Sequence, residues 1–316
     1  MKIVVLDAQT LGDDVSLAEF SKLGTVEIYP MTAPQMVAER ICDCDVVILN
    51  KVILNAQNLA GAKNLRLICV AATGYDNIDC EYCAKNQIAV CNVCGYSTNS
   101  VAQLTVALAL SLLNHLPAFD GFVKDQRYTQ SGVQNCLVPY FHEISGMTWG
   151  IAGMGNIGRK VAEIAKALGC RVIAYKRTPD PEFACTDLET LCRESDILSV
   201  HLPLTDATRR LFDQEHIAMM KKTAVFINVA RGAVADEEAL VQAMEKNQLG
   251  GLGIDVYDGE PMAQNSPYQR ILDHPNVLLT PHMAWAAHEA RVRCLAEIRE
   301  NIAAFYRGET RNRVEK

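Results

Sequence analysis

The sequence predicts an α/β protein with two doubly wound parallel sheets, and three observations predict it. Short β-branched runs alternate with helical patterns along the chain. The alternation comes in two series, separated by a long apolar helix and a polar stretch. The second series opens on a glycine triplet set between a strand and a helix.

In the first series KIVVLDA, TVEIYP, DVVILN, LRLICVAA and QIAVCNV read as strands. APQMVAERIC and CEYCAKN carry helical spacing between them. A long apolar helix follows over about Ser100–His115, and then AFDGFVKDQRYTQSGVQNCLVPYFHEISG reads as polar and irregular. TWGIAG starts the second series, whose further strands are RVIAYK, DILSV, AVFINV, GLGIDVY and VLLTPH. HEARVRCLAEIRENIAAFYRGE is one long helical pattern, expected to pack back onto the first domain. No repeat or low-complexity tract interrupts the chain.

With 316 residues the chain can form two domains of ordinary size, each with its own core. In MKIVVLDAQTLGDD, Asp7 breaks the apolar run and no small-residue cleavage site follows, so a strand is expected rather than a signal peptide. SVAQLTVALALSLLNHL is too short to span a bilayer and is expected to be a buried helix, with no membrane partner. Net charge is −7 and no dense Lys/Arg block occurs, which argues against nucleic acid. An anionic substrate must then meet a local positive site. The 12 cysteines are expected to be thiols in a cytoplasmic protein.

TWGIAGMGNIGRKVAEIAKALGCRVIAY places Gly153, Gly155 and Gly158 between a strand and a helix, with a second strand at Arg171–Tyr175. Such glycines permit a tight turn and close backbone approach, and the helix amino terminus then faces a pyrophosphate. A dinucleotide-binding domain follows, with Asn156 and Ile157 inside the loop. An NAD-type site carries Asp or Glu at the end of the second strand. Here that stretch is YKRTPD, with Lys176, Arg177 and Thr178. Two cations suit a ribose 2′-phosphate, so NADP(H) is expected to be favoured with NAD(H) possible. Solvated surface charge is the alternative reading of the pair.

Three segments end just beyond strands of the second series. FINVARGAV carries Arg231, GIDVYDGEP carries Asp255 and Glu260, and LLTPHMAWA carries His282. Ligand crevices of open α/β sheets lie at the strands' carboxyl ends. Hydride transfer to a 2-keto acid needs a cation on the carboxylate and ketone, an acid for the oxygen, and a group that keeps the acid protonated. Arg231, His282 and Glu260 fit these roles as a set. Taken singly, each has an ordinary structural reading, as His115, His142, His201, His216, His274 and His288 mostly do.

The combination GMGNIG, INVARG, DVYDGEP and TPHMAWA, with VAATGYDNID and CNVCGYSTNSVAQ in the first half, closely resembles the D-isomer-specific 2-hydroxyacid dehydrogenases. The resemblance covers nearly the whole chain. It implies a flavodoxin-like substrate domain over 1–99 and 286–316, split around an inserted Rossmann domain over 100–285. It also implies that Arg231, Glu260 and His282 are catalytic and that the Thr73 and Gly74 amides meet the substrate carboxylate beside Arg231 and His282. Asp255 would hold the nicotinamide carboxamide, with Pro203, Thr208, Val229 and Ala230 as further cofactor contacts. A homodimer joined through the nucleotide domains is implied, with the helix from Ser100 and the stretch after it as the contact. AATGYDNID, GYSTNSVAQ and PHMAWA look most like the glycerate dehydrogenase or hydroxypyruvate reductase branch. Reduction of hydroxypyruvate or glyoxylate to the D-2-hydroxy acid is therefore expected. The extra regulatory domain of longer phosphoglycerate dehydrogenases is expected to be absent. Two departures stand out: Lys176 where NAD-preferring relatives carry an acid nearby, and Cys94 where relatives read NVPGYS.

CEYCAKNQIAVCNVC spaces Cys80, Cys83, Cys91 and Cys94 as two C-x2-C pairs, a zinc-like spacing. A helix and a strand separate the pairs and no histidine lies among them, so small buried thiols are expected and no metal. Two competing functions remain: the same chemistry on another 2-keto acid, or a dinucleotide-sensing, corepressor-like binding protein. Turnover of hydroxypyruvate with reduced nicotinamide separates the second from an enzyme.

Overall fold

The computed structural model describes residues 1–178 and 181–315. The strands are β1 (Lys2–Val5), β2 (Thr25–Ile28), β3 (Val46–Leu49), β4 (Leu67–Val70), β5 (Ala89–Cys91), β6 (Thr148–Ala152), β7 (Arg171–Tyr175), β8 (Ala184–Thr186), β9 (Ile197–Val200), β10 (Val225–Asn228), β11 (Gly251–Ile254) and β12 (Val277–Leu279). The α-helices are α1 (Val37–Ile41), α2 (Ala56–Leu59), α3 (Cys80–Lys85), α4 (Thr98–Leu113), α5 (Leu116–Lys124), α6 (Arg127–Ser131), α7 (Asn156–Ala167), α8 (Leu188–Glu194), α9 (Gln214–Ala218), α10 (Glu237–Glu245) and α11 (His288–Tyr306). They form two compact units, Met1–Ser97 with Trp285–Lys316, and Thr98–Ala284.

The first unit holds a parallel sheet in the order β2-β1-β3-β4-β5, the flavodoxin order. β3 and β4 are buried at every position, which is why VVIL and LICV read as unbroken apolar runs. One face packs on α11 through Ala290, Cys294, Ile298 and Ile302, and the other packs on Val37, Ile41, Leu59 and Cys83. The last residues return to β5: Cys91 bridges Arg313 in antiparallel sense, and Val314 N donates to Val90 O at 2.9 Å.

The second unit holds a parallel sheet in the order β12-β11-β10-β9-β6-β7-β8. β6 lies at the point where the strand order reverses, the place where doubly wound folds open a crevice. α7, α8, α9 and α10 follow strands of this sheet, and Asp187, Asp213 and Asp236 cap α8, α9 and α10 by accepting backbone amides. α4 lies across β11, where a Cβ on Gly253 would stand 3.3 Å from Leu108 Cβ.

Two readings need correction. The stretch after His115 is not irregular throughout. His115 takes φ of 49°, which ends the apolar helix, and Pro117 then starts α5 in its first turn, with α6 after it. β8 was not anticipated, because ACT is three residues long, lacks an apolar run and sits at the sheet edge. Among the described residues no single helix is long and apolar enough to cross a membrane. The pair α4 and α5 passes that test only together and is bent by 62°, and α4 buries Val101, Ala102, Leu108, Ala109 and Leu112.

Candidate active site

The glycine triplet is explained position by position. β6 ends at Ala152, and Gly153 then takes φ of 101°. A Cβ there would stand 2.7 Å from His201 O, so the packing of two strand ends requires glycine. A Cβ on Gly158 would overlap the Gly153 carbonyl, so α7 reaches the loop only with glycine there. Gly155 differs. It is extended, caps α7, and a Cβ would meet nothing within 4 Å. Protein packing leaves Gly155 unexplained, and the space over it is open to a ligand. The first amides of the twelve-residue α7 point into the same space, which fits a pyrophosphate.

The neighbouring loops converge on this point. Gly153 N donates to Tyr175 O at 3.0 Å, so Lys176, Arg177 and Thr178 leave β7 beside the glycine loop. His201 N donates to Ala152 O at 2.8 Å, which brings the loop after β9 alongside. In that loop Thr208 Oγ1 donates to Pro203 O at 2.6 Å and accepts from Thr205 N at 2.8 Å. Val229 and Ala230 follow β10, the next strand over.

Arg231, Glu260 and His282 lie beyond the carboxyl ends of β10, β11 and β12, three adjacent strands. Asn228 closes the turn after β10: its Nδ2 donates to Arg231 O at 2.9 Å and its Oδ1 accepts from Ala230 N at 3.1 Å. The following Gly232 lies so close to the Tyr257–Asp258 peptide that a Cβ would overlap it. The turn that carries Arg231 is thereby packed onto the loop that carries Glu260.

His282 Nδ1 lies 2.6 Å from Glu260 Oε2, and Glu260 Oε1 accepts from Tyr257 N at 3.2 Å. The pair is partly sheltered, with side-chain exposures of 23% and 30%. A contact this short is charge-assisted when the imidazole is protonated, and it fixes the ring plane. His282 itself has φ of 51°, an uncommon conformation for a non-glycine residue.

Asp255 maintains that conformation. The residue is fully buried, and its carboxylate accepts from Thr280 Oγ1 at 2.6 Å, Met283 N at 2.9 Å and Ala284 N at 2.9 Å. Burial raises its pKa, and the three donors oppose the rise. Tyr257 OH adds a bond to Thr280 O at 2.9 Å. Sequence reading missed the parts played by Asn228, Tyr257 and Thr280. Asn228, polar at the end of the apolar strand VFIN, was the one visible signal.

In the first unit Thr73 and Gly74 follow β4 at its carboxyl end. Thr73 is exposed, and neither amide donates to an acceptor among the described residues. The loop can therefore offer two N–H groups to an anion.

The C-x2-C pairs do not converge on a metal. Cys80 and Cys83 lie on α3, Cys91 ends β5 and Cys94 is exposed. Among the described residues no group of three or more His, Cys, Asp or Glu is arranged to hold an ion. Burial pushes the Cys83 thiol up to about 12 and Cys91 to about 11, which disfavours the thiolates that zinc requires. All 12 cysteines are thiols rather than disulfides.

Residues 106–284 match the model of the D-isomer specific 2-hydroxyacid dehydrogenase, NAD binding domain. The chain is 35% identical over 319 residues to a glycerate dehydrogenase of Methylorubrum extorquens, covering 99% of each chain. It is 32% identical to a hydroxypyruvate reductase of Blautia hydrogenotrophica over the full length of both. Among solved structures, an acyclic imino acid reductase in complex with NADPH and D-Arg superposes with a TM-score of 0.87 at 27% identity, covering 99% of this chain and 100% of that one.

Proposed function

The chain belongs to the D-isomer-specific 2-hydroxyacid dehydrogenase family, and on that premise we propose that it reduces a small 2-keto acid, hydroxypyruvate or glyoxylate, to the D-2-hydroxy acid. The observation that carries the reading is the 2.6 Å pairing of His282 with Glu260 on strand ends adjacent to that of Arg231. The bound nicotinamide supplies the hydride. Arg231 holds the substrate carboxylate and polarises the ketone. With Nδ1 turned to Glu260, His282 delivers its proton from Nε2 to the carbonyl oxygen as charge develops there. Glu260 holds the orientation of the ring, and the Thr73 and Gly74 amides are further donors for the carboxylate.

The glycine loop, with Asn156 and Ile157, takes the pyrophosphate, while the fully buried Asp255 bears on the carboxamide end only through the Thr280–Ala284 segment it holds. Pro203, Thr208, Val229 and Ala230 line the cofactor path. Lys176, Arg177 and Thr178 favour NADP(H), with NAD(H) also used; a 2′-phosphate binds guanidinium through paired charge-assisted bonds. A homodimer is part of the proposal. Leu116, Val123, Leu137, Val138, Tyr140 and Phe141, all in α5 and the stretch after α6, are exposed, an apolar set suited to a second copy. Twelve thiols suit a reducing, cytoplasmic setting.

Initial rates with hydroxypyruvate, glyoxylate and pyruvate, each with NADH and with NADPH, test the proposal. Fast reduction of hydroxypyruvate or glyoxylate supports the substrate, and a higher kcat/KM with NADPH supports the cofactor. Exclusive turnover of pyruvate moves the substrate elsewhere in the family. No turnover with any pair overturns the enzymatic reading and leaves dinucleotide-dependent binding.

A further inference from the structure

We propose that Asn92 is a positioning residue for the carboxylate-binding loop, and that the carboxyl-terminal tail acts on that loop through it; the inference rests on the role proposed above for Thr73 and Gly74. Peptide planarity carries the argument. In a trans peptide the C=O and the next residue's N–H point in opposite directions from one rigid plane. The Gly74 N–H therefore shares a plane with the Thr73 carbonyl, and the Thr73 N–H shares one with the Ala72 carbonyl. Both carbonyls are held from behind. Asn92 Nδ2 donates to Thr73 O at 2.8 Å, and Val93 N donates to Ala72 O at 2.9 Å. Thr73 Oγ1 returns a bond to Val93 O at 2.9 Å. Residues 92 and 93 thus hold each peptide on the side away from its N–H group. The bonds to the carbonyls also polarise each peptide, which makes its N–H a better donor to an anion.

Asn92 is itself fixed. It is 4% exposed. Its Oδ1 accepts a weak bond from Cys94 Sγ at 3.5 Å, which turns Nδ2 toward Thr73. Its backbone N donates to Asn312 O at 3.2 Å, and its backbone O accepts from Asn301 Nδ2 at 3.1 Å. Asn301, 1% exposed on α11, accepts at Oδ1 from Arg311 Nη1 and Asn312 Nδ2, both at 2.9 Å. Beyond that point Val90 N donates to Glu315 Oε2 at 2.7 Å, so the tail is seated along β5. Two buried asparagines therefore connect the chain's last residues to the two amides that meet the substrate. Each asparagine uses both ends of its amide, which an apolar replacement of equal size cannot do.

The test is Asn92→Leu, which keeps the branched shape and the number of side-chain heavy atoms and removes the donor without adding charge, beside Asn312→Ala, which trims the tail contact at a partly exposed position. KM for hydroxypyruvate or glyoxylate and kcat are measured for each, with cofactor Kd and the Kd of oxamate, a keto-acid isostere, in the presence of reduced cofactor. For Asn92→Leu, KM and the oxamate Kd are expected to rise together by roughly tenfold, with kcat within about threefold and cofactor Kd unchanged. Asn312→Ala is expected to shift the same two quantities by about twofold to fivefold. A purely structural role would lower kcat with the folded fraction and leave both unmoved, and that result overturns the proposal. If Asn92→Leu fails to fold, Asn312→Ala decides by the same two quantities. If the unmodified protein neither reduces a 2-keto acid nor binds oxamate, the parent reading of the loop fails, and this one with it.

Discussion

His201 should set part of the acid limit of stability. It follows β9, and its Nε2 lies 3.0 Å from Ser199 Oγ. The same Oγ accepts from Trp149 Nε1 at 3.0 Å. His201 Nε2 and Ser199 Oγ share one hydrogen bond, which either tautomer of the neutral ring can make. His201 Nδ1 has lost solvent contact and has no partner among the described residues. Burial pushes the His201 pKa down from 6.5 to about 3. The sign follows from linkage. Below 6.5 the unfolded chain takes up a proton that the folded chain refuses, so stability is complete above that pH and falls as pH drops toward 3. At pH 5 the cost is about 2 kcal/mol for this residue alone. Replacing His201 with Gln keeps an acceptor for Ser199 and removes the titration. The assay is urea unfolding at pH 7.5 and 5.0, followed by Trp149 fluorescence in a Trp285→Phe background. The chain with His201 should lose about 2 kcal/mol more than the Gln variant across that interval. Carboxylates contribute equally to both chains and cancel. Equal losses in the two would refute the reasoning.

The remaining expectations concern the site. His282→Ala should lower kcat by about 10²–10⁴ with cofactor Kd kept, and Glu260→Gln should lower it less, because the neutral amide still orients the ring. Stopped-flow single turnovers check both, and unchanged chemistry in His282→Ala removes that residue from the mechanism. Exchanging Lys176 and Arg177 for Asp and Ser should shift the ratio of kcat/KM for NADPH over NADH by at least about tenfold toward NADH; no shift would mark the two as solvated surface charge. Gly155→Ala should weaken cofactor binding by about tenfold or more with Tm unchanged, because its Cβ meets only the ligand's space. Gly158→Ala should instead lower Tm, because its Cβ overlaps the Gly153 carbonyl; the reverse pattern would sink this reading of the loop.

Fold class was legible because parallel sheets covered on both faces write themselves as apolar runs. VVIL, LICV, VFIN and TWGIA are each buried throughout. The parts that escaped lack that signature. α5 and α6 have no fully buried residue, and the edge strand β8 has no fully buried position. For the site, the sequence revealed the polar residues that end strands, since Arg231, Asp255, Glu260 and His282 stand out against VFIN, GLGI and VLL. It hid the residues that position them. Asn92, Asn301 and Tyr257 act through backbone atoms of residues distant in sequence, and such partners are set by tertiary approach rather than by spacing.

Asp255 shows why such partners are kept despite their cost. Its pKa is raised from 3.8 because burial outweighs the three bonds it accepts. A carboxyl that binds its proton more readily folded than unfolded disfavours folding once both forms are ionised. At neutral pH the charge therefore costs stability, and the cost disappears as the pH falls below the unfolded value. Net stability does not explain an acid here. Geometry does: both oxygens are occupied by the segment Thr280–Ala284, which holds His282 in a left-handed conformation at φ of 51°. An apolar residue of the same size would relieve the desolvation but leave the amides of Met283 and Ala284 without acceptors. The chain thus accepts a buried charge to hold one imidazole beside Glu260. The same arrangement recurs at lower cost in the first unit, where the neutral amide of Asn92 holds the Thr73 carbonyl. In each unit a group tucked behind the loop fixes the backbone of the segment it holds.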